Sequence, residues 1–345
     1  MATILVSIIA LSGAVIARGW PKVPYKVDTH HHFLPPVYRV ALEKAGGDPS
    51  GWPTPDWSPE SSLQNMATNG IQKAILSLTA PGASVAPNTE SARILARQVN
   101  EYAAGLRQQH PGSFGFFAAL PSLMDIPGSL AEIEYVLDVL KADGVTLFTR
   151  YGDENNYLGH SLFTPIWKEL DARRTLVFIH PTHPVNTTWT NPLLPQPVID
   201  YPHETTRTAV DLIIGNVTRE FPNCPKILSH AGGSLPYLIS RIATTSRATR
   251  STKLTFGKTN EEIMDDFRSF YYDLALSSSP AVLKTILDLI PHTHITYGSD
   301  FPYADSDKIA GFREDLDAFS MESKFRDKIY YRNVEKLLKL GKHVD

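Results

Sequence analysis

The 345-residue sequence predicts a single (β/α)8 barrel domain spanning 20–345, with loop insertions at its C-terminal face. Three observations predict it. Eight short apolar runs recur along the chain, amphipathic helical patterns separate most of them, and four runs end in metal-binding residue types. A ring of parallel strands brings groups so distant in sequence to one mouth, which no helix face can do. A doubly wound open sheet is the competing architecture. It is disfavoured because no G-x-G-x-x-G follows the first run.

The strands are expected at 25–30, 73–80, 114–120, 144–149, 176–181, 226–231, 269–275 and 294–299. Runs such as Lys73-Ala74-Ile75-Leu76-Ser77-Leu78 are almost continuously apolar, as parallel strands buried on both faces must be. Helices are expected at 89–109, 129–140, 161–173, 204–220, 234–247, 259–267, 279–290, 307–319 and 323–340. Within 129–140 the apolar spacing is that of an amphipathic helix, and Asp143-Gly144 ends the connection into the fourth strand. Two segments break the alternation: 46–60, rich in Gly, Pro and Trp, and 182–203, whose prolines suggest a stiff loop. Both follow strands, so both are expected over the barrel mouth, where such insertions build substrate pockets.

A hydrophobic fraction of 42% supports a large core without metal or disulfide staples. The formal charge of -3 is spread without basic blocks, which argues against nucleic acid and leaves small molecules as ligands. The lone Cys224 has no partner for a disulfide or a cysteine-based zinc site, and reads as a small packed residue. Residues 1–19 form an apolar leader, too short for a comfortable membrane span. Its small residues around Ala17 suit signal cleavage, although no Lys or Arg precedes the apolar stretch. A cleaved signal implies the secretory pathway and an uncleaved extension the cytosol, so localisation stays open. No stable membrane span is expected in the mature chain.

His30 and His32 lie two apart on the first strand and therefore point to the same side, with His31 pointing the other way. His180 ends the fifth strand and Asp300 the eighth. Together the four residues make a mixed nitrogen and oxygen set for one divalent ion, zinc first with manganese or iron as alternatives. The elements V-D-x-H-x-H-F, I-H-P, S-H-A-G-G and Y-G-S-D-F-P, with Pro202-His203-Glu204-Thr205 among them, resemble the aminocarboxymuconate-semialdehyde decarboxylase branch of the amidohydrolase superfamily. The resemblance covers roughly residues 25 to 340. It implies that His30, His32, His180 and Asp300 are metal ligands and that His230 is catalytic. It also implies that Arg241 reaches a substrate carboxylate in the neighbouring subunit of a homodimer. Hydrolytic relatives with two metals often carry a lysine at the end of the fourth strand. Residues 144–151 contain none, which favours a single metal.

Such a site suits decarboxylation of an ortho-hydroxylated aromatic acid, with Asp300 delivering a proton to the ring and His230 tuning or relaying it. Phe301 and Trp189, with Phe148 and Tyr151, are expected to wall the ring. Glu204 is read as a supporting or helix-start group. Within the branch, the start V-D-x-H-H-H-F-L-P-P and the ending G-S-D-F-P are similar to those of fungal 6-methylsalicylate decarboxylases. That likeness implies conversion of 6-methylsalicylate to m-cresol (3-methylphenol) and CO2 in polyketide secondary metabolism. The alternatives are a mononuclear metal hydrolase of a lactone or cyclic amide, and a non-catalytic metal-stabilised binding protein.

Overall fold

Eight parallel strands run in chain order around one sheet in the computed structural model, which describes residues 25–245 and 257–340. They are β1 (Lys26–Phe33), β2 (Ile71–Leu78), β3 (Phe114–Ala118), β4 (Gly144–Phe148), β5 (Val177–His180), β6 (Lys226–Leu228), β7 (Tyr271–Asp273) and β8 (Ile295–Thr296). The ring closes through backbone hydrogen bonds from Thr29 N to Tyr297 O (3.0 Å), His32 N to Phe301 O (2.7 Å) and Asp300 N to His30 O (2.9 Å). The expected (β/α)8 barrel is therefore the observed one, with every expected run forming a strand. The apolar leader lies outside the described residues. Among those residues, no helix is long and apolar enough to cross a membrane.

The connecting helices are α1 (Pro36–Lys44), α2 (Pro59–Asn69), α3 (Thr89–Gln109), α4 (Ile126–Asp138), α5 (Thr164–Ala172), α6 (Gln196–Ile214), α7 (Val217–Glu220), α8 (Leu235–Thr245), α9 (Asn260–Ser269), α10 (Pro280–Leu289), α11 (Ser306–Ala318), α12 (Ser323–Asp327) and α13 (Asn333–Leu340). Neither α1 nor α2 was expected. The sequence of α2, PESSLQNMATN, carries little apolar signal, so its ends decide its structure. Ser58 and Ser61 form a reciprocal capping box, Pro59 suits the first turn, and Gly70 stops the helix at φ 67°. The second correction concerns α6, which begins at Gln196 rather than at the expected 204. Pro197 fits its first turn, and Pro202 is accommodated inside it. The stiff loop is therefore shorter than its prolines suggested.

The strands are buried on both faces. Within the barrel, Val27, Ile75, Phe117, Phe178 and Ile227 pack with Val334, Leu337 and Leu338 of α13. That helix plugs the N-terminal end of the barrel. The polar end of the interior is left at the C-terminal mouth, where the β1, β5, β6, β7 and β8 segments deliver their histidines and aspartates.

Candidate metal centre and active site

The pleat of β1 turns His30 and His32 into the barrel, where both are almost completely buried. Their Nε2 atoms lie 3.2 Å apart. Each also lies 3.3 Å from Asp300 Oδ1. Ligating atoms of His30, His180, His230 and Asp300 all lie within 4.8 Å of one another. The His180 ring is 4.6 Å from that of His32. The four sequence-predicted ligands and the sequence-predicted catalytic His230 thus meet at one point.

The imidazole orientations follow from what holds their outer nitrogens. His30 Nδ1 bonds Asp273 Oδ2 at 2.9 Å, and His180 Nδ1 donates to the Pro181 carbonyl at 2.7 Å. His230 Nδ1 donates to the Ala275 carbonyl at 3.0 Å. His32 Nδ1 lies 3.2 Å from the Ser77 carbonyl oxygen. In every case Nδ1 is occupied by an acceptor, which leaves Nε2 as the nitrogen facing inward. Two ligand atoms about 2.1 Å from a shared zinc-sized ion sit about 3.0–3.4 Å apart. The 3.2–3.3 Å spacings of His30, His32 and Asp300 match that requirement. The donor set fits a divalent cation.

Electrostatics point the same way. Burial pulls the His180 pKa well below the ordinary range, and the neighbouring His32, His30 and His230 rings pull it further. His32 is also lowered, chiefly by burial. Burial disfavours charge on His30 as well, but Asp273 and then Asp300 outweigh it and raise this ring to about 10. For Asp300, burial works upward and is overcome by the hydrogen bonds of His30 and His32, leaving the carboxyl well below its usual range. The cluster therefore offers an anionic oxygen and inward imidazoles to a cation.

Two carboxylates that the sequence reading missed hold this geometry. Asp273, at the end of β7, bonds His30 through Oδ2 and accepts the His230 and Ala275 backbone N–H groups through Oδ1. Asp28 accepts the backbone N–H groups of His30 and Ser299, while its Oδ2 takes the Ser299 hydroxyl at 2.6 Å and bonds His31. His31, as expected, serves behind the wall, with its Nε2 3.0 Å from Ser62 Oγ. The signal for Asp273 was present, since an aspartate ends the apolar run Phe270-Tyr271-Tyr272. His230 and Asp300 themselves adopt positive φ values of 53° and 63°. Such a backbone persists only where its surroundings over-determine it.

A cavity of about 390 Å³ opens above the cluster, with His32, His180, His230 and Asp300 on its floor. Its walls come from Asp48, Trp52, Thr79, Val198, Tyr201, Leu276, Tyr303 and Phe312. The sequence reading singled out none of these wall residues. The aromatic residues it named lie elsewhere. Phe301 faces His31 with ring centroids 5.0 Å apart, and Trp189 covers Gly51, where an added Cβ would approach its ring to 2.2 Å. Neither borders the cavity. Phe148 and Tyr151 line a neighbouring cavity of about 850 Å³, which also touches Asp48. Arg241 lies exposed on α8, away from the cavity of its own chain. Glu204 sits inside α6 rather than at its start, and its Oε1 accepts the Tyr157 hydroxyl at 2.9 Å.

Comparison with known proteins agrees with this architecture. The amidohydrolase family profile matches residues 27–340. A 6-methylsalicylic acid decarboxylase of Penicillium expansum is 49% identical over 296 residues, covering 86% of this chain and 90% of the relative. A solved amidohydrolase structure shares 30% identity at a TM-score of 0.83, covering 91% of this chain and 99% of its own. A 2,6-dihydroxybenzoate decarboxylase solved with 2,6-dihydroxybenzoate shares 25% identity at a TM-score of 0.77, with coverage of 91% and 99%. The chain belongs to the amidohydrolase family.

Proposed function

We propose that this protein is a metal-dependent carboxy-lyase that removes CO2 from an ortho-hydroxylated aromatic acid, with 6-methylsalicylate as substrate and m-cresol as product. The observation that carries the reading is the inward His and Asp cluster beneath a largely apolar cavity, in a chain 49% identical to a 6-methylsalicylic acid decarboxylase. His30, His32, His180 and Asp300 would hold one divalent ion, zinc by donor type and manganese as the alternative. When bound, the ion supplies Lewis-acid charge for the substrate carboxylate and the adjacent phenolate.

The chain's own groups account for the proton. Direct loss of CO2 from the ring would leave an unstabilised aryl carbanion. Asp300, held anionic by its imidazole neighbours, takes the ortho-hydroxyl proton and returns it to the ring carbon that bears the carboxylate. The ring becomes a keto-like, dearomatised intermediate. The carbon–carbon bond then breaks with its electron pair returning to the ring, CO2 departs, and solvent reprotonates the phenolate. His230 lines the cavity with Nδ1 donated to Ala275, which leaves Nε2 to relay that proton. Trp52, Tyr201 and Tyr303 line the cavity and would flank the ring.

The reading includes a homodimer in which Arg241 of one protomer serves the other's cavity. Sedimentation at dimer mass, with an R241A variant that raises KM, is the expected result. The activity itself is tested with a panel of benzoates. Those with a hydroxyl beside the carboxylate release CO2, and 2-methylbenzoate, which lacks it, does not. Inertness towards the whole panel, with cleavage of a lactone, would replace the decarboxylase by a mononuclear hydrolase.

A further inference from the structure

The cavity carries a charge pattern that proton transfer leaves unused. Apart from Asp300 on the floor, its one wall carboxylate is Asp48, delivered by the insertion after α1. Asp48 Oδ1 accepts the Ser50 backbone N–H at 2.8 Å, and among the described residues no cation pairs with it. Its field reaches the cavity phenols of Tyr201 and Tyr303, which burial pushes upward first and Asp48 pushes further. Among the described residues, the single lysine or arginine bordering the cavity is Lys308, which is 55% exposed and already held by Asp305 at 2.9 Å. Among the described residues, no arginine of the same protomer borders this cavity.

With the reacting carboxylate directed to the cluster, the other ring substituents face these walls. A methyl group meets apolar surface, and a hydroxyl meets phenols or an acceptor. A second carboxylate meets Asp48, and with Arg241 of the other protomer serving the reacting carboxylate, no further free cation among the described residues bordering the cavity balances the added charge. We propose that Asp48 sets the charge specificity of the site, admitting aromatic monocarboxylates and rejecting rings that bear a second carboxylate. This inference rests on the decarboxylase reading above and adds a substrate class to it.

The test uses matched salicylates that carry either a methyl group or a carboxylate at the same ring position. The unaltered enzyme is expected to prefer the methyl member by about tenfold or more in kcat/KM, with D48N cutting that preference about tenfold and D48E keeping it. Reading a ratio cancels any general loss of activity in the variants. If D48N fails to fold, the unaltered enzyme still decides the matter. Like-charge exclusion weakens as salt shortens the Debye length from about 10 Å at 0.1 M to about 3 Å at 1 M, so the preference must shrink over that range. A preference that survives D48N, that D48E loses equally, or that ignores salt overturns the role of Asp48. Inertness of the unaltered enzyme towards every ortho-hydroxybenzoate refutes the decarboxylase reading instead, whereas equal turnover of both members refutes only the charge filter.

Discussion

Each imidazole of the cluster has one nitrogen held by an acceptor, and that local arrangement turns the other nitrogen of His30, His32, His180 and His230 toward one point beside Asp300. Asp273 is the most demanding holder, because it fixes the His30 ring and the His230 backbone together. Asp273→Asn removes the charge and is expected to weaken metal affinity about 10–100-fold, as read by metal titration. Unchanged affinity would deny Asp273 that part. The pH dependence follows from the same pair. His30 is raised to about 10, so a bound proton competes with the ion for Nε2 and metal affinity climbs as pH rises through neutrality. In the Asp273→Asn variant the larger part of the upward push on His30 is lost, Asp300 supplying the rest, and that slope flattens. Sequence made the meeting of the candidate ligands legible because a histidine or aspartate that ends an apolar run sits at a strand's terminus. It could not say which aromatic residues wall the cavity. Trp189 lies on an insertion expected over the mouth, but its ring turns onto Gly51. Phe301 immediately follows Asp300, yet its ring turns to His31. Side-chain direction in a loop depends on packing partners that no periodicity encodes.

Between elements, the contact between the turn after β6 and helix α6 is the least forgiving. Gly233 has φ 63°, and an added Cβ would lie 2.0 Å from the Pro202 carbonyl oxygen. Gly233→Ala must therefore push α6 away from the turn that carries His230. A loss of about 1–3 kcal/mol in denaturant unfolding, with reduced activity, is expected. Unaltered stability would mean that the helix yields freely. Cys224 shows the opposite kind of element. It is buried just ahead of β6, and burial pushes its thiol up to about 11. Thiol reagents at neutral pH are expected to label it only on unfolding, and rapid labelling of the native protein would contradict that burial. The strands were legible because burial on both faces leaves a continuous apolar run. Helices α1 and α2 were not. The polar surface of α2 is organised by caps at Ser58 and Gly70, a signal confined to a few positions. The start of α6 was hidden by Pro202, since proline normally marks a break and is here accommodated within the helix.

For the whole molecule, folding is expected to be separable from metal binding. The main core runs from Phe33 to Tyr330 without needing the ligands, and α13 closes the barrel floor with apolar side chains. Chelation is expected to abolish turnover and leave a cooperative fold, less stable than the loaded protein by about 2.7–4.1 kcal/mol for an ion present at 100 to 1,000 times its Kd. Global unfolding on chelation would contradict that separation. The mouth of the barrel gathers β1, β5, β6, β7 and β8 around one candidate cation site, and the chemistry proposed for it leaves an isotopic mark. The most direct test is to run 6-methylsalicylate in D2O and analyse the product by mass and NMR. The account predicts CO2 and m-cresol carrying one non-exchangeable deuterium on the carbon between hydroxyl and methyl. Absence of m-cresol, or m-cresol with no deuterium at that carbon, would contradict it.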